Sequence, residues 1–546
     1  MSGDTSFVEG FKGKRRPGPC LQIWAEDGFQ DYTQDEWRTA ADRAGAALRA
    51  KGVVPGEPVG CLLTNIFPVC AGAIGVWLAG GAVVSLPTPA RGMAIEVYLA
   101  QLQDICDAME LRLLLAEENY AGLLREHGPD EVEVVSFESL DAAGPAPDEP
   151  PSPDDLAFVQ YSSGSTSNPR GCMLTAGAIG AQLEMLAEAI DLDPEHDWGV
   201  TWLPLSHDMG FFGTIMLDYA KGLGGRIGTP ERFLRSPRTW FEDCAETQAT
   251  MTVAPNFALE LAARAAKMKP PDRFPMRNCI LGGERIETST LQKALDALGP
   301  SGLDSSSLAP AYGLAEAVLA VTLTPAGQAP RLLSIDAEAL ADGRVEPIDD
   351  GDGSPGAQTF VSCGPPLSGV ELRTDGEGPQ GEILISTPSL ASGYAGDAET
   401  TAERFVDGEL HTRDLGFVHE GELYVQGRLD DVLVVGGRNI SALDVEARVA
   451  GTAPVRPGCA ALVDVPRDGR VDLVLLAEAK DDAPEPERTA AAIRDAAMSV
   501  AGVRVDECVI LPKGTLPKTP SGKVQRYRCR QLLASESLPA EAQSGL

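Results

Sequence analysis

No two of the eleven cysteines stand as C-x-x-C, histidine occurs only five times, and no secretory signal stands ahead of the cysteines. Those absences exclude a thiolate zinc site and a disulfide framework, and the expectation is buried thiols in a reducing, cytoplasmic compartment. Positive charge is also scarce, with 45 Lys and Arg against 80 Asp and Glu and a net charge of −35. A field of that sign repels phosphate at long range, so nucleic acid and anionic lipid are excluded as bulk partners and any phosphate must be held locally. There are no internal repeats, no extended low-complexity tracts and no Walker A sequence of the form G-x-x-x-x-G-K-[ST]. Residues 66–90 lack charge altogether, the length of a membrane span, but Gly80 and Gly81 split them and Pro87 and Pro89 end them. A buried helix followed by a buried strand is expected there, not a membrane span.

What is present is an ordinary core: 43% apolar and 23% charged residues over 546, enough for at least two domains. Helix-like and strand-like segments alternate, as in the helix 37–51 and the strand 58–63, which implies an α/β architecture. A Pro- and Asp-rich connection at 144–155 leads into a strand at 156–161. After a Gly- and Asp-rich excursion at 342–355 come shorter strands, at 381–386 and 423–427, and the pattern becomes β-rich. A smaller α/β unit follows from about Asp430 to Leu533, with apolar strands at 460–463 and 471–476, and the polar tail after Ser535 reads as frayed.

The segment Tyr161-Ser162-Ser163-Gly164-Ser165-Thr166-Ser167-Asn168-Pro169-Arg170-Gly171 follows directly on an apolar strand. Small side chains, hydroxyls, free backbone N–H groups and one guanidinium suit a triphosphate cradle. A Ser-rich turn reads the same residues equally well.

Beyond this loop the chain resembles the adenylate-forming superfamily of acyl-CoA synthetases, nonribosomal adenylation domains, luciferases and fatty acyl-AMP ligases. The resemblance begins near 31–86 and passes through the Ser/Gly loop, Trp202-Leu203-Pro204-Leu205-Ser206-His207-Asp208-Met209-Gly210, Gly282-Gly283-Glu284 and Tyr312-Gly313-Leu314-Ala315-Glu316. It continues through Thr412-Arg413-Asp414-Leu415-Gly416 and Gly427-Arg428-Leu429-Asp430-Asp431 to Pro517-Lys518-Thr519-Pro520-Ser521-Gly522-Lys523. Motifs in the family's order over nearly the whole chain are far more specific than any one of them.

The resemblance implies a large N-terminal adenylation domain over 1–429, built of α/β subdomains plus a β-rich part, and a small mobile C-terminal α/β lid over 430–546, with Asp430 at the hinge. It implies ATP and Mg²⁺ as cofactors. Ser162, Ser163, Gly164, Ser165, Thr166, Arg170, Gly283, Glu284, Tyr312, Gly313, Leu314, Asp414 and Arg428 would hold the nucleotide, Tyr312 by stacking on adenine and Asp414 with Arg428 at the ribose. Glu316 and Thr166 would hold the metal. Lys523 would bridge the attacking carboxylate and the α-phosphate, and His207 would line the entry between ATP and acyl pockets. Each has a plainer reading as well: Glu316 as a helix-start carboxylate, Asp414 as a loop acid, Asp430 with Asp431 as a solvated turn, Lys523 as a surface lysine, His207 as a satisfied loop histidine.

Leu203-Pro204-Leu205, His207 to Gly210, Pro255-Asn256-Phe257-Ala258, Val361-Ser362-Cys363-Gly364-Pro365 and Gly437-Arg438-Asn439 look like fatty acyl-AMP ligases, which hand the acyl group to a carrier protein. Residues 322–358 correspond to the region of that subgroup's distinguishing insertion. Phe211, Phe212, Met216 and Phe257 supply apolar bulk for a hydrophobic acid, fatty or bulkier, and would serve equally as core. Three positions depart from the pattern: Ser167 and Arg413 stand where the family has Gly, and Arg170 where it has Lys. The first reading is therefore an acyl-AMP ligase acting for a carrier protein or a partner thioester-forming enzyme. A complete acyl-CoA ligase, using coenzyme A, and a degenerate nucleotide-binding or thiol-transfer partner are the alternatives.

Overall fold

The computed structural model describes residues 6–9, 18–89, 95–143, 151–161, 170–341, 343–348, 357–376, 378–435, 438–467, 470–481, 483, 485–501, 503–518, 524–534 and 543–545. The first long helix, Gln34–Ala50, begins earlier than its apolar pattern because Thr33 caps it. The Thr33 hydroxyl accepts from the Glu36 N–H at 3.2 Å, and the Glu36 carboxylate accepts from the Thr33 N–H at 2.8 Å. Trp37, Ala41, Ala44 and Leu48 recur at helical spacing on the buried face. The charge-free stretch forms the helix Phe67–Leu78 and the strand Ala82–Leu86, as expected. That helix lies so close on the first that a Cβ at Gly75 would come within 2.6 Å of the Ala44 Cβ. Among the described residues no helix is long and apolar enough to cross a membrane.

Two sheets build the body of the chain. One has six strands in the order Glu133–Ser136, Leu113–Ala116, Pro58–Leu62, Ala82–Leu86, Leu156–Tyr161 and Gly171–Thr175, parallel except for the last. The other has eight, with Leu308–Gly313, Asn278–Leu281, Met251–Ala254, Trp198–Thr201 and Gly224–Ile227 at its centre. Its parallel strands are short and largely buried, and Arg226, the one charged residue in these four, is paired with Glu246. The β-rich part follows as an antiparallel five-stranded sheet around Gln380–Ser386, Glu409–His419 and Glu422–Arg428.

The small unit pairs Val455–Arg467 with Arg470–Ala479 and adds Glu507–Leu511. Its core of Val449, Leu462, Leu475, Ala490 and Ile493 is separate from those of the larger part. The tail is not simply frayed: Gln543–Gly545 pairs antiparallel with Glu507–Leu511. Strand addition uses backbone groups, so polar side chains did not forbid it. The Gly/Asp-rich excursion is flanked by an antiparallel pair, Leu332–Asp336 with Ala357–Val361. Its Phe360 packs edge-on against Phe417 at 5.5 Å. All eleven cysteines are free and buried.

Candidate active site

Strand Leu308–Gly313 carries Tyr312, whose hydroxyl donates to Asp414 Oδ2 at 2.6 Å. Asp414 lies opposite Arg428 in the pairing of Glu409–His419 with Glu422–Arg428, and Arg428 Nε stands 3.4 Å from its Oδ1. Burial pushes the Asp414 carboxyl above the ordinary range against the pull of Arg428 and the Tyr312 hydroxyl, while burial and Asp414 push the Tyr312 hydroxyl well up. The expected ribose pair thus stands together with the residue assigned to adenine. Tyr312 is only 8% exposed, and its hydroxyl anchors Asp414, a tie that pattern alone did not give.

Arg413 has φ +61°, the left-handed region that favours glycine, and its N–H donates to Glu382 Oε1 at 2.7 Å. This accounts for glycine as the family's residue there and makes Arg413 a strained substitution. Arg413→Gly is expected to raise the melting temperature by about 1 °C, since relief of roughly 1–2 kcal/mol of strain exceeds the added entropy of an unfolded glycine. A scanning calorimetry trace with a lower transition would contradict it.

Glu316 sits on a tight loop. Leu314 N–H donates to Leu319 O at 2.9 Å, and a Cβ on Gly313 would come 1.8 Å from that same oxygen, so only glycine fits. Val318 closes the loop at φ +66°, ψ −55°, with Leu319 N–H on Ala317 O at 2.8 Å. This is the strained form of the γ-turn, held by a fully buried β-branched residue. Glu316 Oε1 accepts from the Tyr394 hydroxyl at 2.7 Å. Residues 391–395 run between this loop and the strand that leaves the Ser/Gly segment. Ala391 N–H donates to Glu316 O at 2.8 Å, Met173 N–H to Gly393 O at 2.9 Å and Ala395 N–H to Gly171 O at 2.8 Å. Arg170, at the exit of that segment, lies 3.7 Å from Asp397 and 5.7 Å from the centre of the Tyr394 ring. Ser162, Ser163, Gly164, Ser165 and Thr166, with the departure Ser167, lie outside the described residues, as does Lys523.

The Leu203 to Gly210 segment is pinned by side chains that sequence reasoning missed. Asn65 Nδ2 donates to Leu203 O and Gly228 O, both at 2.9 Å, and its Oδ1 accepts from Leu205 N–H at 3.0 Å. Gln160 Nε2 donates to Ser206 O at 3.1 Å. The only signal was a polar residue beside or within an apolar strand, which a buried amide needs a partner to justify. His207 caps the following turn, with Met209 N–H 3.3 Å from its Nδ1, and that nitrogen also faces the Asp208 carboxylate. His207 is thus held on a short loop by its own neighbours.

Gly283 takes φ +78° with the Met209 methyl 3.2 Å from where a Cβ would stand. Glu284, read as a nucleotide residue, receives the Phe257 N–H at 2.6 Å and so caps the helix Asn256–Met268. Of the two readings open for the acyl residues, pocket wall and core, the packing favours the second for three of the four. Phe211, Phe212 and Met216 are fully buried, and Phe158 lies 5.1 Å from Phe211 and 4.9 Å from Phe212. They sit in the core, and neither of the two cavities seen among the described residues is lined by them. They belong to a π-helical segment, Phe211–Met216, whose wider turn alters which face each residue takes. On its other side Gly213, Thr214 and Leu217 line a cavity of about 30 Å³ together with Val253 and Ile280. Phe257 is half-buried, edge-on to Trp202 at 6.3 Å.

Asp430 lies in the one-turn helix Leu429–Asp431. Arg526 donates to Asp431 Oδ1 at 3.0 Å and to Glu446 Oε2 at 2.7 Å, joining the end of that turn to the small unit. Burial pushes Glu446 up to about 7 in spite of Arg526 and the Leu462 N–H.

A family model for AMP-binding enzymes matches residues 14–395. The chain belongs to the AMP-binding enzyme family. This AMP-binding enzyme is 30% identical over 514 residues to the putative ligase Rv1013 of Mycobacterium tuberculosis, with 90% of this chain and 93% of the relative covered. It is 30% identical over 517 residues to the long-chain-fatty-acid–AMP ligase FadD26 of the same organism, with 88% of each covered. To JamA of Moorena producens, a medium-chain-fatty-acid–[acyl-carrier-protein] ligase, it is 31% identical over 407 residues, 69% of this chain and 67% of the relative. Its fold matches a structure from a study of fatty acyl-adenylate ligases from E. coli and L. pneumophila with a TM-score of 0.87 at 24% identity, over 98% of both chains. The mixed α/β architecture expected from the sequence is thereby the fold of adenylate-forming enzymes.

Proposed function

We propose that this AMP-binding enzyme is an ATP-dependent acyl-AMP ligase for a hydrophobic carboxylic acid. The acid's carboxylate attacks the α-phosphorus of ATP, an acyl–oxygen–phosphorus bond forms, and pyrophosphate leaves. The observation that carries the reading is the convergence made by residues 391–395, which hydrogen-bond both to the Glu316 loop and to the strand leaving the Ser/Gly segment. In the proposed arrangement Asp414 accepts from the ribose hydroxyls, held by Tyr312 and Arg428. The Ser/Gly residues 162–166 and Arg170 receive the phosphates, and Gly283, Gly313 and Leu314 flank the nucleotide.

Among the described residues no three His, Cys, Asp or Glu side chains gather to hold a metal. A Mg²⁺ would therefore be held by Glu316, with Thr166 beside it, and by the nucleotide's own phosphates, the usual way of binding this ion. Bound there, it would offset phosphate charge as pyrophosphate departs. Glu316 suits that task because only Oε1 takes a hydrogen bond from a described residue. Lys523 would supply positive charge at the carboxylate and α-phosphate from a small lid, 430–546, turning about Asp430 on the large domain, 1–429.

The names of FadD26 and JamA support a fatty acid as substrate and a carrier protein as acceptor, and buried free thiols support a cytoplasmic setting. The test is pyrophosphate release from MgATP with a panel of hydrophobic acids, with and without coenzyme A or acyl carrier protein, products identified by mass. Acyl-AMP that passes to the carrier protein and forms no CoA thioester is the expected result. Rapid acyl-CoA formation would make the chain a complete CoA ligase, and absence of any adenylate would sink the reading.

A further inference from the structure

We propose that Tyr394 is a positioning residue for metal-dependent nucleotide binding, fixing the Glu316 carboxylate and joining it to Arg170; the inference rests on the acyl-AMP ligase reading. Tyr394 is 3% exposed, yet its hydroxyl reaches Glu316 Oε1 at 2.7 Å. Its ring lies edge-on to Phe405 at 5.5 Å, and its N–H donates to Thr401 Oγ1 at 2.9 Å. The bridge between Tyr394 and Cys172 fixes its backbone against the strand Gly171–Thr175. Few degrees of freedom remain, so the hydroxyl is a preset donor rather than a mobile surface group.

A glutamate on a short loop has three rotatable bonds, and fixing them on ligand binding costs free energy. Tyr394 removes much of that cost in advance by engaging Oε1, and Oε2 would then serve as the electron-pair donor to a hard cation. The face of the same ring stands 5.7 Å from the Arg170 guanidinium, which is also 3.7 Å from Asp397. Thr401, the acceptor for the Tyr394 N–H, donates its hydroxyl to Asp397 O at 2.7 Å. Tyr394, Thr401, Asp397 and Arg170 thus form a connected set whose two ends are a carboxylate for the metal and a cation for the phosphates. The strained turn at Val318, two residues on, fixes the backbone that carries Glu316.

The test measures equilibrium binding of ATP to the full chain, with Mg²⁺ titrated in and with Mg²⁺ removed by EDTA, followed by the nucleotide-induced shift in melting temperature. Tyr394→Phe keeps the ring and loses the donor. It is expected to raise the Mg²⁺ concentration for half-maximal tightening about tenfold, to leave ATP binding in EDTA within about twofold, and to leave the ligand-free melting temperature near wild type. Thr401→Val, which frees the Tyr394 backbone and keeps the hydroxyl, is expected to raise the same concentration about threefold, and it serves if Tyr394→Phe does not fold. A Mg²⁺ dependence equal to wild type in the folded variant overturns the proposal alone. A wild-type chain whose ATP binding gains nothing from Mg²⁺ overturns the proposal and the metal assignment of the ligase reading together.

Discussion

Lys523→Ala is expected to lower acyl-adenylate formation at least about 100-fold, a loss of about 3 kcal/mol of transition-state stabilisation, with the melting temperature and MgATP binding close to wild type. The size of the effect follows from the electrostatics of the chain. With a net charge of −35 there is no general field to draw a carboxylate toward a triphosphate, so the approach of two anions depends on cations placed at the reaction centre. From Cys508 to Ser535 the chain carries six Lys and Arg and no Asp or Glu, a local reversal of the overall sign. Of these, Arg526 is committed to Asp431 and Glu446, and Arg530 to Asp464. Pyrophosphate release at saturating acid, with the acyl-AMP weighed by mass spectrometry, checks the expectation. An unchanged rate would remove Lys523 from the reaction.

Phe211→Ala is expected to cost about 3–5 kcal/mol of stability while leaving the ranking of accepted acids unaltered. The ring is fully buried among Phe158, Phe212 and Trp77, at 5.1, 5.3 and 6.1 Å between ring centres. Truncation would leave a void in a close-packed cluster that backbone strands hold apart, so little of it can collapse. Denaturant unfolding gives the stability change, and competition between acids of different length gives the selectivity. A stable variant with altered selectivity would return Phe211 to the acyl pocket.

That placement shows where sequence reading stops. An apolar residue after His207 is equally compatible with a pocket wall and with the core, and the choice depends on a π-helical turn that composition does not announce. By contrast the strand Leu156–Tyr161 and the helix–strand division of the charge-free stretch were legible, because apolar runs bounded by Gly and Pro have few foldings. The meeting of Asp414 with Arg428 was accessible through resemblance. The hydroxyl of Tyr312 on Asp414, 102 residues away, was not, since nothing local encodes it. Asn65, Gln160 and Tyr394 escaped for the same reason: each acts on a segment far along the chain. Arg413 is intermediate, a visible departure from glycine whose meaning needed a backbone angle.

The strand Leu21–Ala25 lies within the eight-stranded sheet, parallel to Gly224–Ile227, with Leu21 opposite Gly225. During synthesis the hairpin of Leu21–Ala25 with Gly28–Tyr32 emerges early, yet its inner neighbour leaves the ribosome only after roughly 200 further residues. At translation speeds of about 5–20 residues per second that is a wait of tens of seconds with one strand edge unpaired. The six-stranded sheet, whose strands all fall between Pro58 and Thr175, can close in the meantime. The six-stranded sheet can therefore be complete before the eight-stranded one, although the latter's first hairpin precedes it in the chain, and long-range parallel pairing of that kind slows folding.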